Sequence, residues 1–185
     1  ASTGSNRLIV AAVVYNCVSG QTLTAANING TEAGEIVFSD ISNGVAGIAI
    51  IVWNEADHPG AGSATINLTF SAAVSQRSHL VWELEDSTQQ TAPYFNLTIT
   101  VFDGTTITGA ERTVNVVDQS GVLGLAFIGA RGGSFFDVTP ASTANLSNDF
   151  ETDNTNSHLY GADTASIADN DEDFGFTLTL TGGTA

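Results

Sequence analysis

Short apolar segments recur along this chain, and clusters of Gly, Asn, Asp, Ser and Pro separate them. This spacing is typical of β-strands joined by turns. The clearest segment is SATINLTFS, residues 63–71, in which Ile66, Leu68 and Phe70 alternate with polar residues. Because successive side chains of a strand point to opposite faces, it predicts one buried face and one polar face. No segment before residue 140 keeps the apolar period of a helix, so the pattern predicts an all-β fold.

The predicted strands are numerous enough for a two-sheet β-sandwich of jelly-roll or immunoglobulin-like type. Residues 7–15 and 45–53 are apolar without alternation, which is typical of strands covered on both faces. In residues 78–85 the apolar positions alternate, and Trp82 is predicted to face the core. The nine predicted strands are residues 7–15, 35–41, 45–53, 63–71, 78–85, 94–102, 112–117, 122–128 and 174–180.

The chain has 185 residues, of which 42% are hydrophobic, and this length is ordinary for one all-β domain. We therefore expect a single β-sandwich domain over residues 1–185. Residues 132–173 differ from the rest, because they are rich in Asn and Asp and nearly lack strand periodicity. This stretch is predicted to be a long acidic loop, which is either a surface for a specific partner or a connection with short elements of its own.

The charge balance excludes whole classes of partner. Twenty acidic residues stand against four Arg and no Lys, which gives a net charge of −16. Such a surface repels phosphate backbones and anionic lipid, and it lacks the cations that release counterions from DNA or RNA. We therefore expect neither nucleic-acid binding nor membrane insertion. A saline habitat would suit this charge, since salt screens the self-repulsion.

Cys17 is the single cysteine, so an intrachain disulfide is impossible, and we expect a buried apolar role for its side chain. No apolar run reaches the length of a membrane span. The sequence begins without Met and without a leader segment, which leads us to expect a processed form.

Two stretches, SNRLIVAAVVYN and VAGIAIIVWNEADHPGAGSATINLTFSAAV, follow a recognisable order. An Asn-Arg-Leu strand opens the chain, a Trp-containing strand and a Pro-Gly turn follow, and a strand ending in Thr-Phe-Ser completes the order. A later segment, QSGVLGLAFIGA, belongs to the same order. The positions concerned are Asn6, Arg7 and Leu8, Trp53, Pro59 and Gly60, and residues 62–71.

In this order the chain resembles β-sandwich surface domains of bacterial extracellular and phage-encoded proteins. The resemblance implies a surface module of a virion or of a secreted multidomain protein, such as a decoration or fibre protein. It implies no catalytic residues. The chain departs from the pattern after Gly132, where the acidic stretch replaces a shorter connection.

No arrangement of nucleophile and base is recognisable. The histidines His58, His79 and His158 are scattered, and no Gly-x-Ser-x-Gly or His-Glu-x-x-His motif occurs. Glu83 and Glu85 are two residues apart in a predicted strand, a spacing that would suit the paired carboxylates of a glycoside hydrolase. A solvated strand face explains the same spacing, so we expect no enzyme.

Acidic residues near the C-terminus suggest a metal site. Asp169, Asp171 and Asp173 alternate in ADNDEDF, and calcium prefers such oxygen ligands. The remaining elements of an EF-hand loop are missing, so calcium would bridge this segment to a neighbouring subunit. A solvated acidic run without metal is the alternative. No cofactor is required.

Carbohydrate is a further candidate ligand. Tyr94 and Tyr160 are the aromatic residues that we expect to stack on sugar rings if the chain contacts glycans. The motif Asn-x-Ser/Thr occurs at four positions and makes glycosylation a hypothesis. These positions are Asn29, Asn67, Asn96 and Asn145.

Three functions therefore remain open from the sequence. The first is a homo-oligomeric structural protein on a virion surface, in contact with capsid or other surface proteins. The second is a bacterial or archaeal filament subunit that donates the strand at residues 7–15 to a neighbour. The third is a carbohydrate-binding module. All three lie on a virion surface or outside the cell.

Overall fold

The computed structural model describes residues 5–17, 19–42, 46–87, 110–115, 125–131, 136–140, 146–154, 157–164 and 173–180. These residues contain thirteen β-strands and one short 3-10 helix, Glu55–Asp57. All strand pairings among them are antiparallel. The predicted all-β fold is therefore confirmed. Within the described ranges, no helix is long and apolar enough to cross a membrane.

The chain divides into two compact units, residues 1–95 and residues 96–185. The first unit contains the strands β1 (Leu8–Asn16), β2 (Leu23–Ile28), β3 (Glu32–Ala33), β4 (Glu35–Ser42), β5 (Ala46–Trp53), β6 (Ile66–Phe70) and β7 (Arg77–Leu84). They form sheet 1, with the order β4-β5-β1-β7, and sheet 2, with the order β3-β2-β6. That the two units make up a single domain stays a prediction.

The second unit contains β8 (Ala110–Asn115), β9 (Leu125–Arg131), β10 (Phe136–Pro140), β11 (Leu146–Asn154), β12 (Ser157–Thr164) and β13 (Asp173–Leu180). Its sheets have the orders β10-β13-β8 and β11-β12-β9. Three of these strands lie within residues 132–173, where a long loop was predicted. The prediction relied on residue types, and Asn and Asp disfavour strands. These strands are instead held in their sheets by backbone hydrogen bonds to neighbouring strands. Asn154 pairs with Ser157, so β11 and β12 form a local hairpin.

β1 is the central element of sheet 1. It pairs with β5 on one side and with β7 on the other, and all nine of its residues are buried. A strand covered on both faces needs apolar side chains at every position, which explains its lack of alternation. The interpretation of residues 7–15 is therefore confirmed.

The core of the first unit draws on both sheets. Ile9, Ala11, Val13 and Tyr15 of β1 lie in one cluster with Ile28 of β2, among others. Trp53 lies at one end of this cluster, where its Nε1 donates a hydrogen bond to the carbonyl oxygen of Glu32 at 3.2 Å. At the other end the Tyr15 and Phe70 rings meet edge to face, with centroids 4.8 Å apart.

The alternating strands behave as their pattern predicts. In β6, Ile66, Leu68 and Phe70 pack against the core cluster, and Asn67 and Thr69 are exposed. In β7, Leu80 and Trp82 are buried between exposed neighbours. Cys17 is also buried, and its thiol donates to the carbonyl oxygen of Gln21.

Candidate functional site

The ends of three neighbouring strands bring together five titratable residues that we call the Arg7 cluster: Arg7, Glu55, His58, Glu83 and Glu85. Arg7 directly precedes β1, and Glu83 lies opposite Ile9 in the pairing of β1 with β7. Trp53 lies opposite Ile9 on the other side, so the chain that leaves β5 carries Glu55 and His58 to the same end of sheet 1. Strand register thus explains why residues far apart in sequence meet here.

Arg7 holds Glu55 with three donors. The backbone N–H of Arg7 donates to Glu55 Oε2 at 2.7 Å, Nε donates to Oε2 at 3.0 Å, and Nη2 donates to Oε1. These hydrogen bonds, first from the side chain and then from the backbone, lower the pKa of Glu55 to about 2. The Glu55 carboxylate is therefore ionised and its oxygens are occupied, which leaves it unsuited to donate a proton.

The Arg7–Glu55 pair predicts a defined dependence of stability on acid. Because the pKa of Glu55 is lowered from an ordinary 4.5 to about 2 in the folded chain, its contribution is complete above pH 4.5 and is lost towards pH 2. We expect Glu55→Gln to remove part of this decline. The measurement is the melting temperature of both proteins across this range. Glu35→Gln, at an exposed carboxylate of β4, is the control. Parallel curves for wild type and Glu55→Gln would contradict the account.

His58 has both ring nitrogens engaged within the fold. Its Nδ1 accepts the backbone N–H of Gly60 at 3.1 Å, so the proton of a neutral ring lies on Nε2. Nε2 is 3.0 Å from Glu83 Oε1 and donates to it. The His58 side chain is completely shielded from solvent. A histidine without an accessible lone pair cannot take a proton from a substrate, so this carboxylate–histidine pair is structural.

Glu83, in β7, and Glu85, just after β7, have different surroundings. Both residues are exposed, but Glu83 contacts His58, whereas Glu85 lies beyond the end of β7 at Leu84. We expect Glu83→Ala to lower the free energy of unfolding by about 1–2 kcal/mol, since it leaves a buried imidazole N–H without its acceptor. The matched change Glu85→Ala should stay within about 0.5 kcal/mol of wild type. Urea unfolding measures both, and equal effects would overturn the assignment.

The predicted calcium ligands fall largely outside the described residues. Asp169 and Asp171 lie outside them, and Asp173 is the first residue of β13, opposite Asn115 of β8. Where the chain is described, no group of three or more His, Cys, Asp or Glu residues is arranged to hold a metal ion. The calcium site stays a prediction.

Of the two predicted glycan contacts, only Tyr160 lies within the described residues. Tyr94 lies outside the described residues, and Tyr160 lies in β12, where its Cα partners are Glu151 of β11 and Ile128 of β9. Among the other histidines, His79 is exposed on β7, and His158 lies opposite Asp153. His79 lies opposite Val13 and does not join the Arg7 cluster.

The outward side of sheet 2 carries only uncharged side chains. We call it the polar face, and its members are Thr24, Ala25, Asn27, Asn29, Ala33, Thr65, Asn67 and Thr69. Two of the four glycosylation motifs begin here, at Asn29 and Asn67, and both residues are exposed. The outward position expected for Asn67 is therefore confirmed, and its modification stays a prediction. Asn96 and Asn145 lie outside the described residues.

Comparison with known proteins found no match for this chain. No protein-family model matches the chain, and no curated protein or solved structure matches it significantly. The resemblance to phage-encoded and bacterial surface domains therefore stays a prediction.

Sequence reasoning missed the pairing of Arg7 with Glu55. A usable signal was present, because Arg7 is one of only four cations and the segment NEADH supplies acids after a buried strand. What the sequence does not reveal is the pairing register, which sets residues 48 positions apart side by side.

Proposed function

We propose that this chain is a non-enzymatic structural module that assembles with copies of itself on a virion or cell exterior, as a tailed-phage decoration, spike or fibre protein does. One observation supports this most: the strongest acid–base candidates, Glu55, His58 and Glu83, are engaged with partners inside the fold. Their hydrogen bonds stabilise strand ends. The charge of −16 and the absence of Lys agree with a role that involves neither nucleic acid nor lipid.

We further propose that sheets 1 and 2 pack face to face as a β-sandwich. The shared core cluster, the Trp53–Glu32 hydrogen bond and the Tyr15–Phe70 ring contact support this arrangement. Antiparallel sheets with one shared apolar layer are the usual construction of sandwich domains.

The placement of β1 favours a second candidate, a filament subunit. β1 is the first of the described strands and lies between β5 and β7, with registered pairing on both sides. A neighbour's β1 could occupy the same position, as in donor-strand assembly. Removal of β1 would expose the core, so a simple truncation cannot test the idea.

Electron microscopy of the purified chain, first with calcium and then with chelator, tests the proposal. Closed particles of a few copies are the expected result. Their loss in chelator would add calcium to the interface. Long fibres would favour the filament candidate, and isolated monomers in both conditions would refute self-assembly.

A further inference from the structure

His58 fastens the turn that follows the 3-10 helix to sheet 1. Its Nδ1 accepts the backbone N–H of Gly60 at 3.1 Å, and its Nε2 donates to Glu83 Oε1 of β7 at 3.0 Å. The His58 side chain is completely shielded from solvent, so neither hydrogen bond competes with bulk water. We call residues 58–62 the His58 turn.

The two glycines of the His58 turn have backbone conformations that other residues rarely adopt. The angle φ is +80° at Gly60 and +120° at Gly62. Beyond the neighbouring residues, no atom lies within 4 Å of the position that a Cβ would take at either glycine, so this side of the turn is open. Glycine also loses more backbone entropy than any other residue when it is ordered. The hydrogen bond from Gly60 to the His58 ring helps to offset that loss.

A proton on Nδ1 of His58 would turn this acceptor into a donor. The ring N–H and the Gly60 N–H would then face each other, so the bond that closes the turn would be lost. The hydrogen bond from Nε2 to Glu83 would survive and strengthen, because it would join an imidazolium to a carboxylate. Because the ring is shielded, a proton reaches Nδ1 only when the turn moves. Protonation of the ring and opening of the turn are therefore coupled.

The elements next to His58 supply the charges that act on it. Their charged groups are Arg7, Glu55, Asp57, Glu83 and Glu85. Glu83 contacts the ring directly, and Glu55 interacts with it through charge. Arg7 is the one cation among them, and its guanidinium is paired with Glu55. Four carboxylates against one guanidinium favour the protonated form of the ring.

We propose that His58 is a proton-operated latch on the His58 turn: the neutral ring holds the turn closed, and the protonated ring releases it while both sheets remain folded. Histidine is the side chain that ordinarily gains its proton between about pH 5 and 8. The turn lies on the connection between β5 of sheet 1 and β6 of sheet 2, outside every described strand. Opening therefore changes one end of the first unit without breaking a strand pairing.

The latch responds at a higher pH than the Arg7–Glu55 pair. The pKa of Glu55 is lowered to about 2, so this pair persists through the range in which histidine titrates. The two groups therefore give two separate acid responses, a local one at the turn and a later loss of stability.

Nuclear magnetic resonance of the 185-residue chain between about pH 8 and pH 5 tests the latch. The ring nitrogen signals of His58 report its protonation, and the Gly60 amide signal reports the hydrogen bond to the ring. We expect the Gly60 signal to move to the position of a solvated amide, with the same midpoint as the ring signals. Signals from β1 should stay in place.

Three variants separate the latch from a general effect of acid. His58→Asn keeps an acceptor, because an Asn side chain accepts the N–H two residues on, but it does not titrate. Its Gly60 signal should therefore be independent of pH in this range. Glu83→Gln keeps an oxygen for Nε2–H without the charge and should lower the midpoint by about one pH unit or more. His79→Asn removes an exposed histidine of β7 and is the control, with no expected change.

Several results would contradict the latch. A His58 ring that titrates while the Gly60 amide stays in place would show that the turn does not respond to the proton. A ring that stays neutral down to about pH 5, or a Gly60 shift that persists in His58→Asn, would also overturn it. If His58→Asn fails to fold, Glu83→Gln decides on its own, and an unchanged midpoint would refute the proposal.

Discussion

Trp53→Ala should lower the free energy of unfolding by about 3–5 kcal/mol, which is a large part of the roughly 5–15 kcal/mol of an ordinary domain. The Trp53 side chain is fully buried in the cluster that both sheets share, and its Nε1 donates to the Glu32 carbonyl oxygen. Its loss therefore leaves a large cavity and removes this hydrogen bond. Denaturant unfolding measures the change.

Two further variants separate the causes. Trp53→Phe keeps most of the apolar volume and should cost less than Trp53→Ala. Val81→Ala is the control, because Val81 is 46% exposed and its truncation should change stability by less than about 0.5 kcal/mol. Equal losses for Trp53→Ala and Val81→Ala would contradict the assigned core.

Gly47→Ala is expected to destabilise the chain by about 1–3 kcal/mol, although it adds only one methyl group. Gly47 lies opposite Tyr15 in the pairing of β5 with β1, and the Tyr15 ring covers it. A Cβ atom would overlap the ring carbons and lie 2.6 Å from the hydroxyl oxygen. The ring is fully buried, and its hydroxyl accepts the backbone N–H of Leu23, so it has no room to withdraw.

A double-mutant cycle tests this cause directly. In a Tyr15→Ala background the overlap is absent, and Gly47→Ala should be neutral or stabilising, because Ala is favoured over Gly within a strand. Thermal unfolding of the four proteins gives the interaction energy, which we expect to exceed about 1 kcal/mol. An equal cost of Gly47→Ala in both backgrounds would show that the Tyr15 ring is not responsible.

The parts of the fold that follow from side-chain period were predictable. The continuous apolar run of β1 predicts burial on both faces, and the alternation of β6 and β7 predicts burial on one face. The observed burial of the three strands follows these predictions. β2 and β3 were missed because Asn, Ala and Glu in them give no strand signal. β2 is held by its pairing with β6, and β3 by its pairing with β2. Within residues 132–173 strands were expected only as one alternative, because Asn and Asp give a weak strand signal.

The contacts of the candidate site could not be predicted from residue types alone. Glu83 and His58 were both noticed in the sequence, but only the geometry shows that they contact each other and that Gly60 occupies the other nitrogen of the ring. Composition could not reveal that the chain keeps the polar face free of charge, because faces exist only once β2 and β6 are paired.

The mass of the purified 185-residue chain at equilibrium, measured by sedimentation over a range of concentrations at physiological salt, tests self-assembly most directly. The account predicts that the average mass rises above the 19.1 kDa of a single chain as concentration increases. A mass that stays at 19.1 kDa at every concentration would contradict it.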